Sequence, residues 1–162
     1  MNTMAKTARK MQSGSAVKAI FWGGLVCGIL DMTSALVAYG WKVPLIRIPQ
    51  SIAAGLLGPA AFQGGIRTAI LGTALHFVIA FGAATTYYLA SRKLVFLRES
   101  PIIAGLLYGE AVFLFMHFVV IPLSHARQSP MSTSWPFLLA GPLGHPFLVG
   151  LPIALAVRRF GR

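Results

Sequence analysis

Acidic side chains are nearly absent from these 162 residues: Asp31, Glu99 and Glu110 are the whole complement, against fourteen Lys and Arg. In a water-soluble chain the resulting formal charge of +11 would point to nucleic acid. Charge of either sign is scarce, however, at 10% of residues, while 56% are hydrophobic; soluble domains carry roughly 25% and 45–50% respectively. The balance excludes water as the main solvent. The cations punctuate apolar runs, which is the placement that orients membrane segments, so nucleic acid is not expected as a partner. A single cysteine, Cys27, excludes an intrachain disulfide and a Cys-based metal site. Walker loop, dinucleotide glycine fingerprint and HExxH zinc motif are all missing, and the adjacent Ser124 and His125 make no catalytic triad. Ordinary catalysis is a poor fit.

What is present in quantity is apolar length. A membrane-spanning helix needs about 20 mostly apolar residues, and four segments qualify, at about 16–40, 66–90, 101–123 and 135–157. The first run exceeds a secretory h-region and contains Asp31 with no small-residue cleavage site beyond it, so it is expected to be retained. Between the first two lie Pro44, Pro49, Pro59 and the pair Gly64 and Gly65. The short apolar stretch there, 51–58 with Ser51 as N-cap, is too short to span and reads as an interfacial or re-entrant helix.

Four spans place both termini and the 92–99 loop on one side. That side holds Lys6, Arg9, Lys10, Lys18, Arg92, Lys93, Arg98, Arg158, Arg159 and Arg162, against Lys42, Arg47, Arg67 and Arg127 opposite. The positive-inside rule makes it the cytoplasm. Residues 1–15 then form a basic cytoplasmic segment and 16–162 a single four-span, all-α membrane domain in a bacterial inner membrane. Tyr39, Trp41 and Trp135 are expected at the outer interface, and Tyr87 and Tyr88 near the inner one.

Small residues suggest how the helices meet. Gly24 and Gly28 in the first span and Gly105 and Gly109 in the third share the pattern GLxxG, which permits close backbone approach. Midspan His76 and His145 and the terminal basic pairs of spans two and four extend the parallel, consistent with a duplicated helical hairpin or with chance. Cys27, Ser34, Ala35 and Ala38 make a small-residue face on span one, and Ala69, Gly72, Ala80 and Ala83 a similar stripe on span two. In span four, Gly141, Pro142, Gly144 and Pro146 crowd mid-depth and should kink or unwind the helix.

The candidate site residues are the ionisable groups inside these spans. Asp31, His76, Glu110 and His145 fall near the midplane, with His117 a turn or two further out. A charge there costs on the order of 3 kcal/mol by insertion scales, so these groups should face one another or trapped water. Glu110 and His117, seven apart, should line one interior seam. Such a set can relay protons, bind a cation, or simply hydrogen-bond helices together.

At Leu75, His76 and Phe77 followed by Tyr87 and Tyr88, at His117 followed by Ile121, Pro122 and Leu123, and at Gly144 and His145 followed by Arg158 and Arg159, the chain resembles the YagU-like bacterial inner-membrane proteins, a domain family of unknown function. The resemblance runs from about residue 25 to 159. It implies an inner-membrane location and marks His76, His117, Gly144 and His145 as family-like positions, but brings no substrate or reaction. The first outer loop is shorter than that family's.

Three functions compete at this level. The leading one is proton-coupled transport, or acid sensing and tolerance, through the midplane carboxyl and imidazole groups. The second is a non-catalytic accessory or assembly subunit, in a homo-oligomer or a larger membrane complex. The third and lowest is a b-type cytochrome, with histidines on three spans as haem ligands; otherwise no cofactor is expected.

Overall fold

The computed structural model describes the backbone of residues 2–126 and 134–161 and the side chains from Ser15 onward. Arg127 and Arg162, and the side chains of Lys6, Arg9 and Lys10, lie outside the described residues. Every regular element among those described is helical: α1 Asn2–Tyr39, α2 Arg47–Leu57, α3 Gly65–Ser91, α4 Phe96–Glu99, α5 Pro101–Phe115, α6 Ile121–Leu123, α7 Trp135–Ala140 and α8 Leu151–Phe160. A 3-10 turn, 58–63, follows α2, and wide π turns lie at 116–120 and 146–150.

Three stretches are long and apolar enough to cross a membrane, Ser15–Tyr39, Gly65–Ser91 and Pro101–Leu123. The fourth apolar segment is not one continuous helix. It breaks after Ala140 in a turn at 141–143 and resumes at Gly144. Pro142 and Pro146 have no N–H to donate, so the crowded prolines and glycines interrupt the ladder where the sequence places them.

Both π turns have one cause. Each is followed, after a single residue, by a proline, Pro122 or Pro152. Neither proline can donate to the carbonyl four residues back. The residue before each donates five residues back instead, Ile121 N–H to Met116 O and Leu151 N–H to Pro146 O, which widens the turn.

The packing runs on small residues, as it does where lipid supplies no hydrophobic driving force between helices. α1 sits between α3 and α8, with α5 against α8 and α2 along α3. A Cβ at Gly24 or Gly28 would strike the rings of Phe81 or Phe77 on α3. At Gly105 it would lie 3.0 Å from Leu151 Cα, and at Gly109 it would overlap the carbonyl oxygen of His145 and lie 2.6 Å from Pro146 Cα. Each GLxxG pair therefore seats its helix on the next long segment of the chain. The stripe on α3 divides: Ala80 meets Gly28 of α1, whereas Gly72 presses on the backbone of Pro49 in α2.

Large apolar side chains such as Val37, Ile70, Leu107 and Leu123 point outward, and the main core is Ala19, Cys27, Ala80, Ala84, Tyr87, Tyr88, Ala104, Val149, Ile153, Ala154 and Val157. That core fills the end of the bundle where Ser15 Oγ donates to Phe160 O, joining the start of the first apolar run to the end of α8. Tyr87 and Tyr88 belong to it: Tyr87 is fully buried, its hydroxyl donating to Leu97 O at 2.8 Å and its ring meeting Tyr108 edge to face.

α2 starts earlier than the 51–58 reading. Its first residue is Arg47, because Pro49 is tolerated within a first turn, and Ser51 is no N-cap; its hydroxyl donates back to Ile48 O. Gln50, 2% exposed, ties this helix to α3 through Nε2, which donates to Gly65 O at 3.0 Å and Thr68 Oγ1 at 3.2 Å.

Candidate functional site

Opposite the packed end, the helices part around a cavity of about 300 Å³. Its walls come from α1 (Cys27, Gly28, Asp31, Ala35, Tyr39), α3 (His76, Ala80), α5 and its π turn (Phe113, Met116, His117) and the broken segment (Phe137, Gly141, His145), with Ile52 of α2 at the edge. Along α1 it extends from Cys27 to Tyr39, about 18 Å at 1.5 Å per residue.

Asp31 lies at its centre between two imidazoles. His76 Nδ1 is 4.0 Å from one carboxylate oxygen and His145 Nδ1 is 3.9 Å from the other, with side-chain exposures of 12% for His76, 17% for His145 and 22% for Asp31. These groups are enclosed, yet reachable by water.

Hydrogen bonds to carbonyls decide which ring nitrogens carry protons. His76 Nε2 lies 2.9 Å from Gly28 O. A carbonyl only accepts, so Nε2 is the donor. His145 Nδ1 faces Ala140 O at 3.0 Å and Gly141 O at 3.1 Å, besides the carboxylate, so Nδ1 also bears hydrogen. Ala140 is the last residue of α7, and Gly141 O already accepts the backbone N–H of Gly144 at 3.1 Å and of His145 at 3.0 Å. The helix break thus sets two backbone carbonyls beside the ring of His145.

The consequence falls on the Asp31–His76 pair. With Nε2–H spent on Gly28, a neutral His76 turns the lone pair of Nδ1 toward Asp31. At 4.0 Å the two atoms stand beyond direct hydrogen-bond distance, facing each other at the cavity wall. Asp31 and His76 thus adjoin without a direct hydrogen bond, beside a second imidazole and open to a cavity.

His117 belongs to the same cavity but not to this contact. Its ring stacks on Phe113 at 5.7 Å between centroids and meets Phe137 at 5.8 Å; Phe113 in turn meets His145 at 5.5 Å. His125 lies in the loop after α6, where its backbone N–H donates to Gly55 O at 2.9 Å and pins that loop to α2.

Glu110 does not join. It is half-buried, does not line the cavity, and engages in no hydrogen bond or ion pair among the described residues. The shared seam with His117 fails for a steric reason. Gly109 brings α5 against the backbone of His145 and Pro146, and Glu110, about 100° further around the helix, is carried off that face. Sequence reasoning also missed Gln50 and Phe137. The position of Gln50 among prolines and apolar residues hinted at a tether, but nothing in the sequence distinguished Phe137 from the other aromatics.

No group of three or more His, Cys, Asp or Glu among the described residues has the geometry of a metal site. Compared with known proteins, the chain matches no protein-family model, no curated protein and no solved structure.

Proposed function

We propose that this chain is a multi-pass protein of a bacterial inner membrane, with four membrane-crossing segments and both ends in the cytoplasm, that exchanges protons through Asp31, His76 and His145 as part of proton-coupled transport. The observation that carries the reading is the Asp31 carboxylate set between two imidazoles in a cavity, with His76 turned toward it by its bond to Gly28. The joining of Ser15 to Phe160 supports ends on a common side, and the interrupted segment supports a fourth crossing, since non-helical backbone at membrane depth is tolerated where it lines a cavity. The YagU-like positions His76, His117 and His145 all lie on cavity walls.

The test is proton flux into proteoliposomes under an imposed pH gradient, read by an entrapped dye. Asp31→Asn should abolish the flux, and Glu110→Gln should leave it near wild type. Equal rates for wild type and Asp31→Asn remove the proposal.

Glu110 favours a second reading, an accessory subunit. A carboxyl without a partner within its own span gains most from a donor on another chain. Purification in mild detergent tests it: a stable partner or dimer lost in Glu110→Ala supports the reading, and a monomer unaffected by the change rejects it.

A further inference from the structure

The charge balance of the cavity goes one step beyond proton exchange. The titratable groups on its walls are Cys27, Asp31 and Tyr39 from α1, His76 from α3, His117 beyond α5 and His145 from the broken segment; among the described residues no Lys or Arg lines it. Among the described residues Asp31 is the one carboxyl on the wall, and only His76 and His145 stand near enough to offset it. The charge that balances the carboxylate is then a proton or a cation admitted to the cavity.

The rest of the wall selects among cations. An inorganic cation such as Ca²⁺ takes six to eight oxygen ligands, and Mg²⁺ demands a near-ideal octahedron. This cavity offers two carboxylate oxygens, and the carbonyls of Gly28, Ala140 and Gly141 already accept from the histidines. Most other wall residues are apolar or aromatic. Phe113, His117 and Phe137 form one aromatic cluster, joined to Asp31 through His145, and Tyr39 stands at the far end. A carboxylate beside π faces in an apolar cavity suits a cation whose own surface is apolar.

We propose that the cavity binds a small lipophilic ammonium ion, an amine carrying apolar or aromatic substituents, in exchange for the proton otherwise balancing the Asp31 carboxylate. The proposal rests on the proton-exchange reading and names its substrate class. In the exchange the ammonium pairs with the Asp31 carboxylate, that proton leaves to water, and the charge of the site is unchanged. Entry is from the Tyr39 end, because Tyr87, Ile153 and Val157 close the opposite half. A volume of about 300 Å³ is at the lower end of ligand pockets, which suits one ring and a compact head group.

The probe is benzyltrimethylammonium, added to the full chain in detergent at low buffer concentration while heat and released acid are recorded. Saturable binding with about one proton released per bound cation is expected. Asp31→Asn should remove both signals. Phe137→Ala should weaken binding roughly three- to tenfold without changing the proton count. Asp31→Glu, which keeps the carboxyl, should retain binding with acid release, and does so even if Asp31→Asn fails to fold. Equal affinity for neopentylbenzene, the uncharged isostere, overturns the proposal, as does binding without acid release. Asp31-dependent proton flux with no probe binding defeats the ammonium site and leaves proton exchange standing. Probe binding with acid release but no flux upholds the site and removes the transport reading.

Discussion

His76 reaches across from α3 to the carbonyl of Gly28 on α1, and this bond at 2.9 Å turns the other face of its ring to Asp31. One side chain thus serves two purposes, one structural and one chemical, and the two can be separated. Glutamine places an amide N–H near the position of Nε2 but has nothing where Nδ1 stands. His76→Gln should keep the interhelical bond and melt within about 1 kcal/mol of wild type, whereas His76→Ala leaves the Gly28 acceptor without its second donor and should cost about 1–3 kcal/mol. Both should abolish proton flux. Thermal unfolding in detergent alongside liposome flux checks the pair. Full flux in His76→Gln would show that Nδ1 is not needed.

Gly109 fixes the position of His145 from the opposite side. An added Cβ there would overlap His145 O and crowd Pro146 Cα, and both are backbone atoms that cannot swing aside. Gly109→Ala should destabilise by about 1–3 kcal/mol and move His145 from Asp31, lowering flux. Gly82 offers the control. Nothing lies within 4 Å of a Cβ at that position, so Gly82→Ala should be neutral or stabilise by up to about 1 kcal/mol. Equal melting temperatures for the two variants would contradict the close packing of α5 on the broken segment.

These residues show how far the sequence could be read. Three long apolar helices, the small-residue contacts and the helix break follow from composition and from proline chemistry, both of which are local. Depth was legible as well, since rise per residue counts along a single helix, and it placed Asp31, His76 and His145 at one level. Rotation was not. Glu110 has the right depth and misses the cavity because Gly109 sets which face of α5 meets the broken segment, a fact belonging to the neighbouring helix. The same blindness hid the burial of Tyr87, whose hydroxyl finds its acceptor within the chain at Leu97.

The wide turns before Pro122 and Pro152 are open to a direct test. Alanine restores an N–H that can donate to Phe118 O or Leu148 O, so each turn should tighten towards α geometry. The changed phase would rotate Met116 and His117 in one case and Val149 in the other, all of which line the cavity. Pro122→Ala and Pro152→Ala should therefore fold at least as stably as wild type, yet lose proton flux severalfold. Unchanged flux in both variants would mean that the wide turns serve packing alone.

Gln50 tests whether α2 is fastened or merely adjacent. It is 2% exposed, and its amide nitrogen donates to Gly65 O and Thr68 Oγ1, while the Thr68 hydroxyl donates onward to Ala61 O at 2.6 Å. That network ties α2, and the 3-10 turn 58–63 at Ala61, to the start of α3. Gln50→Leu fills a similar volume but deletes both donations and leaves two acceptors without that donor, at a cost of about 1–3 kcal/mol. Most of the loss should be local, since α1, α3, α5 and α8 pack without it. Hydrogen exchange should therefore rise across 47–68 and stay low through the core at Ala84, Tyr87 and Ile153. A uniform rise along the whole chain would show instead that α2 is integral to the bundle, and that closing the cavity at Ile52 depends on the same cooperative unit.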